Sequence, residues 1–409
     1  MFLVMVAGAA FAQNNTNSPY TRYGFGQLSD QTSTRSRAMG GVAYGLRDNS
    51  QINLLNPASY TEIDSLTFLF EGAVTFQNTN FDDGKQRLNA KNSSVDYVAM
   101  QFRIAKWMAM SAGFLPYSNV GYNLSSSKEV EGASGLTYIE SHFGEGGLRQ
   151  VFIGMGFRPF KNFSFGFNTS YLWGEIERNR LQGFVADNSG DNTSAGINPY
   201  HENIVASMRN VKFDIGAQYM VNLSEKNDLT LGVVYSPKAN LSNDITAITQ
   251  ANTIQVDESS SKFELPAKYG VGVAYHFDKR LLLAADFTLE EWSKAKYMDQ
   301  NLFYDRTKYS LGFEYLPSYT KRNYFANIKY RLGAFYQEPY YKVEGERGTR
   351  EYGVSAGLSL PLPKSKSLIN LSTEFVKTEG RTKNFLDEKY FKVTVGVVFN
   401  ERWFFKRKI

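Results

Sequence analysis

The chain has 409 residues, 42% hydrophobic and 21% charged, with 45 basic residues against 40 acidic ones. So even a balance excludes a nucleic-acid binder, whose basic footprint would dominate some segment. The lack of any apolar run of about eighteen residues excludes a helical membrane protein. The unusual features are a 15% aromatic content, with 26 Tyr and 31 Phe, no Cys, and a mean hydropathy of −0.37. Aromatic-rich without being hydrophobic overall is the composition of a membrane wall with aromatic belts and a polar interior. Absence of thiols suits a chain that crosses an oxidising compartment unfolded.

Residues 1–12 read MFLVMVAGAAFA, an apolar stretch ending Ala10-Phe11-Ala12. The small-x-small ending predicts a secretory signal with Gln13 as the first mature residue. The basic n-region such a signal carries is missing, which points to a start upstream of Met1. No Cys follows the cleavage site, so no lipoprotein is expected. Residues 13–64 carry Gly24, Gly26, Gly40, Gly41 and Gly45 with little alternation. A segment of that length is expected to fold inside a wide barrel as a luminal plug; the alternative is a disordered periplasmic extension.

From Ser65 onward the hydrophobic period is two. Leu66, Phe68, Phe70, Val74 and Phe76 share one face, Thr67, Glu71, Thr75 and Gln77 the other. Tyr324, Ala326, Ile328, Tyr330 and Leu332 alternate with Phe325, Asn327, Lys329 and Arg331. Strands are predicted over 66–77, 94–104, 107–121, 148–157, 163–177, 201–221, 228–247, 262–277, 281–293, 306–316, 323–336, 350–360, 367–377 and 390–400. Many exceed the usual globular strand of about 5–6 residues. Connections after even-numbered strands are tight, as at 158–162, 278–280 and 361–366; those after odd-numbered strands are long and polar, as at 78–93, 121–147 and 178–200. Together these predict an all-β fold, a 14-stranded antiparallel transmembrane β-barrel over 65–409, with the short turns and both termini periplasmic in an outer membrane. Closure removes unpaired edges that hydrocarbon does not tolerate. The tail after Arg402, Trp403-Phe404-Phe405-Lys406-Arg407-Lys408-Ile409, fits a chain leaving the bilayer through its interface.

Four motifs in chain order carry a resemblance. Arg37-Ala38-Met39-Gly40-Gly41 is followed by Asn56-Pro57-Ala58; Gly113-Phe114-Leu115-Pro116-Tyr117 lies in the third strand; Leu265-Pro266-Ala267-Lys268-Tyr269-Gly270 opens a later one; Glu291-Trp292-Ser293 ends the next. In these the chain resembles the FadL family, outer-membrane transporters of long-chain fatty acids and other hydrophobic compounds, as a Bacteroidota-type member. Where fatty-acid transporters often continue Asn-Pro-Ala with Gly, this chain has Ser59-Tyr60. The resemblance implies a hatch at Asn56, Pro57, Ala58, Gly40 and Gly41, and a hydrophobic small-molecule ligand moving by plug-gated passive diffusion. The same family includes barrels that act in envelope protein export or outer-membrane assembly. The alternative is therefore a non-transporting subunit with envelope protein partners.

Pro116 cannot donate to a ladder, so inside a closed wall it implies a bulge or gap. The expected lateral opening is at Gly113, Pro116 and Tyr117, against a plain structural bulge. Asn56-Pro57-Ala58 makes a fixed turn that either moves on ligand binding or wedges the plug. Asp214, Asp286, Glu314, Lys329, Arg331 and Glu374 lie opposite the apolar faces of their strands. They are expected to face the lumen, since a Lys or Arg at the lipid midplane costs about 2–4 kcal/mol. Both signs together point to a bracing ionic network rather than an ion pathway.

No enzyme is expected. Gly353-Val354-Ser355-Ala356-Gly357 matches a nucleophile elbow, but it lies inside a predicted strand with no His after His276. His142, His201 and His276 have no metal spacing, and no cofactor is implied.

Overall fold

The computed structural model describes residues 16–82, 87–129, 136–186, 200–249, 252–256, 261–318, 324–343, 345–380 and 386–402. The signal read at 1–12 and the aromatic-basic tail at 403–409 lie outside the described residues. Elements in chain order are β1 (Gln27–Leu28), α1 (Thr34–Arg37), β2 (Thr67–Asp82), β3 (Arg87–Ala105), β4 (Met108–Pro116), β5 (Ser118–Glu129), β6 (Leu136–Phe160), β7 (Phe163–Ala186) and β8 (Tyr200–Asn222). They continue with β9 (Asp228–Ser236), β10 (Ala239–Thr249), β11 (Asn252–Val256), β12 (Phe263–Leu265), β13 (Lys268–Phe277), β14 (Leu281–Glu290), β15 (Arg306–Tyr315) and β16 (Lys329–Gln337). A small hairpin, β17 (Lys342–Val343) and β18 (Glu346–Arg347), precedes β19 (Arg350–Pro361), β20 (Leu368–Glu379) and β21 (Asp387–Arg402).

Each wall strand pairs antiparallel with its neighbours, and β21 pairs with β2 from Thr67↔Arg402 to Asp82↔Asp387, which closes the barrel. Three wall strands are interrupted: β4 and β5 are one strand broken after Pro116, β9 and β10 one broken at Pro237, and β11, β12 and β13 one long strand in pieces. Counted so, the wall has fourteen strands.

Two expectations need correction. Residues 324–328 do not join the eleventh strand; Phe325–Asn327 is a 3-10 helix, and β16 starts at Lys329. The long connections expected at 78–93, 121–147 and 178–200 are largely ladder, with β5, β6, β7 and β8 climbing far past their expected ends. At about 3.3 Å per residue, the 25 residues of β6 reach about 80 Å, against the roughly 9–11 residues a tilted strand needs to cross a bilayer. Past the bilayer the apolar alternation that marks a strand is lost while the ladder continues.

The faces are inverted relative to a soluble barrel. Leu311, Leu332 and Val354 point outward with 63%, 58% and 58% of their surface exposed, while Ser310, Glu314, Arg331 and Ser355 beside them are buried. At the tight-turn end, exposed Trp107 and Phe160 carry the aromatic edge, with Trp107 stacked on Phe157 at 6.0 Å. An outer face of this kind suits hydrocarbon with an aromatic interface. No described helix is long and apolar enough to cross a membrane; the strands make the crossing.

Candidate functional site

Residues 16–63 are mostly buried and lie against the inward side chains of the wall. Ser33 caps α1 by accepting from the Ser36 N–H, and the turn that follows needs positive φ at Gly40 (69°) and Gly41 (87°), which glycine adopts without strain. The wall makes room with glycines of its own. A Cβ at Gly333 would strike the backbone of Met39 and Gly40, one at Gly232 the carbonyl of Tyr44, and one at Gly216 the side chain of Asn56. At Gly166 it would meet the Pro57 carbonyl at 2.6 Å. These positions adjoin across strands, with Gly166 facing Gly216 and Gly312 facing Gly333, so the small residues form a groove around the lumen in which the segment's backbone sits.

Asn56 is fully buried. Its Oδ1 accepts from the Ala58 N–H at 3.1 Å and its Nδ2 donates to the Tyr44 carbonyl at 2.8 Å, while Pro57 opens a 3-10 helix over Pro57–Glu62. The side chain both caps this short helix and ties it to the turn at Tyr44.

Charge anchors the segment to the wall at several points. Arg35 donates to both carboxylate oxygens of Glu314 (3.1 and 3.2 Å) and to Asp48 (2.7 Å); Arg331 donates to Glu314 at 2.7 Å, and Lys329 lies 3.4 Å from Asp48. Arg37 bridges to Asp96 at 3.3 Å and donates to the Asp30 carbonyl at 3.0 Å. Arg47 and Arg158 both donate to Glu62 (2.6 Å each), and Arg47 also reaches Ser164 on the wall at 2.7 Å. Burial alone would push the Asp48 carboxyl up, but Lys329 and Arg35 hold it well below the usual range. Asp30 is likewise drawn down to about 2 against its burial by Lys308 and Arg37.

Of the six charged residues expected in one network, three are joined: Glu314, Lys329 and Arg331. Asp286 stands apart, accepting from the Ala43 and Tyr44 N–H groups (2.6 and 2.9 Å). Asp214 pairs with Lys212 on its own strand at 2.6 Å, and Glu374 faces Lys392 across β20 and β21. Sequence alone picks out neither Arg35 nor Asp48 as partners, and Arg37 only as the start of a glycine-rich motif. Their signal was a basic pair and a lone acid in a glycine-rich stretch, which by itself reads as a solvated loop.

On the long-connection side an aromatic cluster lies in the lumen: Phe25 of the segment packs with Trp292, Tyr297, Phe303 and Tyr340, with Trp292 and Tyr340 4.5 Å apart and Phe25 and Tyr297 5.1 Å apart. The Tyr340 hydroxyl donates to the Gly26 carbonyl at 2.6 Å. Two cavities beside the segment, about 70 and 90 Å³, share Asp30, Arg306 and Lys308 in their lining.

Near the predicted opening, β3 pairs with β4 only as far as Val98↔Phe114, two residues before Pro116. Gly113 lies in the last paired stretch and Tyr117 is buried. Beyond that point β5 pairs with β6 on one side and, on the other, with β1 through Gln27↔Asn119 and Leu28↔Ser118. The Thr21 hydroxyl donates to the Gly121 carbonyl (3.1 Å) and accepts from its N–H (3.2 Å). The N-terminal segment, rather than β3, thus satisfies this part of the edge.

The histidines stand on separate strands, His142 on Glu140, His201 on Asn179 and His276 on Asp228. Residues 353–357 run inside β19, with no turn to a helix.

Solved structures of the same architecture include the toluene transporter TodX of Pseudomonas putida, 16% identical, covering 92% of this chain and 100% of that one at a TM-score of 0.60. The toluene transporter TbuX of Ralstonia pickettii is 14% identical, covering 91% and 99%, at 0.57. A Pseudomonas aeruginosa FadL homologue is 12% identical, covering 91% and 99%, at 0.59. At these identities the likeness is one of fold. No curated protein matches the chain. The sequence model of the BamG family matches residues 1–409.

Proposed function

The chain belongs to the BamG family along its whole length, and from that premise we propose that it is a barrel subunit of an outer-membrane protein-assembly or export complex, with its own lumen held shut. Residues 13–64 are its plug and 65–409 its barrel; the outer face meets outer-membrane lipid, and both termini lie on the periplasmic, short-turn side. The observation that carries this reading is the buried pairing of Arg35 of the plug with Glu314 of the wall, backed by Asp48 from the plug itself. A hydrocarbon passing here would have to part those charges in a dry interior, where stripping a pair of one partner costs about 3–5 kcal/mol. The cavities beside the plug are small, and charged residues contribute to their lining. The tall sheet of β5 to β8 supplies protein surface beyond the bilayer of the kind a complex uses.

A second reading is favoured by one specific observation, the pairing of β3 with β4 that stops at Phe114. On it, hydrophobic small molecules pass the hatch of Gly40, Gly41, Asn56, Pro57 and Ala58 and leave sideways at Gly113, Pro116 and Tyr117. Mild-detergent isolation of the tagged chain from its native membrane separates the two. Companion proteins in fixed stoichiometry support the subunit. A chain that elutes alone with an apolar molecule in its lumen overturns that reading and leaves the second.

A further inference from the structure

The break at Pro116 gives β5 an edge that the described residues take up only in part. From Ser118 to Gly121 that edge is taken: β1 pairs with Ser118 and Asn119, the Ser29 N–H donates to the Tyr117 carbonyl at 2.9 Å, and Thr21 serves both backbone groups of Gly121. Further along, residues 123–129 pair with β6 from Asn123↔Phe143 to Glu129↔Thr137, and among the described residues no strand pairs with their other side. An edge in hydrocarbon is not tolerated. This one stands on the climbing part of the sheet, where β6 and β7 run on together to Leu136↔Ala186, so it faces water.

We propose that residues 123–129 of β5 receive an extended segment of a partner protein, which adds to the sheet as a strand. Such recognition is made by the main chain, with side chains only selecting. The occupant already seated on the same edge shows the mode: β1 lies antiparallel on Ser118 and Asn119, and the proposed segment continues the row above Gly121. The side chains along the stretch leave the approach open. Ser125, Ser126 and Ser127 are exposed and short, and Ser125 bonds sideways to Ser141 at 2.8 Å rather than across the edge. Only the last two residues of the stretch, Lys128 and Glu129, are charged; Ser125, Ser126 and Ser127 place no bulky or charged guard on the middle of the edge. The partner is therefore an extended protein segment, not a lipid and not a folded face.

This inference rests on the reading of the chain as a subunit, and amide hydrogen exchange tells the two apart. The native detergent-solubilised complex is compared with the full chain purified alone, following peptides that cover residues 123–129, with β14 as the internal reference. In the complex, the alternate amides of 123–129 not bonded to β6 should exchange at least about a hundredfold more slowly than in the chain alone, with β14 unchanged. A complex that purifies intact while those amides exchange at the same rate in both samples overturns strand addition and leaves the subunit reading standing. No complex at all overturns both.

Discussion

Arg35 and Glu314 meet in a two-bond, buried guanidinium–carboxylate contact although 279 residues separate them in the chain. That contact couples the N-terminal segment to the tenth wall strand, and Glu314 accepts from Arg331 as well. Glu314→Ala therefore leaves Arg35, Arg331 and Lys329 as buried like charges around Asp48 alone. The expected cost is about 3–5 kcal/mol, read as a lower urea midpoint by tryptophan fluorescence. Arg87→Ala is the comparison: Arg87 meets Asp82 at 3.0 Å with 86% of its side chain exposed, and such pairs contribute about 0–1 kcal/mol. Equal midpoints for the two variants would remove the network from the account of what holds the segment.

Gly333→Ala should dislodge the segment. The added methyl meets backbone, which cannot swing away as a side-chain tip can. Single-channel conductance in planar bilayers should rise, and trypsin should gain access to Arg35 and Arg37. Gly72→Ala, whose nearest neighbour would be an ordinary 3.6 Å contact, should do neither. A closed, trypsin-resistant Gly333→Ala barrel would show that the groove is not fitted to the segment.

Leu311→Arg places a cation on the outer wall, where Leu311 is 63% exposed. It should lose about 2–4 kcal/mol in bilayers, measured as the drop in folding equilibrium in lipid vesicles. Ser310→Ala, on the next residue but facing inward, should lose far less. Indifference to Leu311→Arg would place that face in water.

Acid tests the segment from another side. Asp30 has a folded pKa of about 2, below its ordinary 3.8. Its contribution to stability is thus fully present above about pH 4 and is lost as pH falls from there through about 2. Asp48 is shifted in the same direction. Pepsin, active in that window, should begin to cut residues 16–64 as pH drops toward 2 while the wall resists. Asp30→Asn should remove part of the acid dependence by weakening the segment at neutral pH. A cleavage pattern flat between pH 4 and 2 would contradict the assignment.

A disulfide between Leu28→Cys and Ser118→Cys, paired positions of β1 and β5, addresses the second reading. Oxidised, it should leave companion proteins bound and growth unchanged if the lumen stays shut in normal work. If instead uptake of a hydrophobic fluorescent probe falls on oxidation and recovers on reduction, passage past this edge is the function.

The wall was legible because bilayer hydrocarbon enforces period two: Leu66 to Gln77 and Val393 to Phe399 alternate where the strands do. The heights of β5 to β8 were not legible, because Ser125, Ser126 and Ser127 or Glu175, Glu177 and Asn179 carry no apolar face once the sheet leaves lipid. Pro116 announced a break in pairing, since a residue without N–H is rare inside a ladder. What covers the freed edge was hidden, because Thr21 and Gln27 are ordinary loop residues until folding brings them a hundred positions forward. The partners of Glu314 were hidden for the same reason. A sequence shows which charges face inward, and only the closed barrel shows which of them touch.

The glycine groove also bears on the order of events in folding. Backbone of residues 39–57 is seated against wall positions from Gly166 on β7 to Gly333 on β16, and α1 reaches Gly396 on β21. A chain fitted that closely, with Phe25 wedged under the aromatic cluster above it, has no room to be threaded through a finished cylinder. The wall has to wrap around the segment, and the seam between β2 and β21 is then the last join to be made.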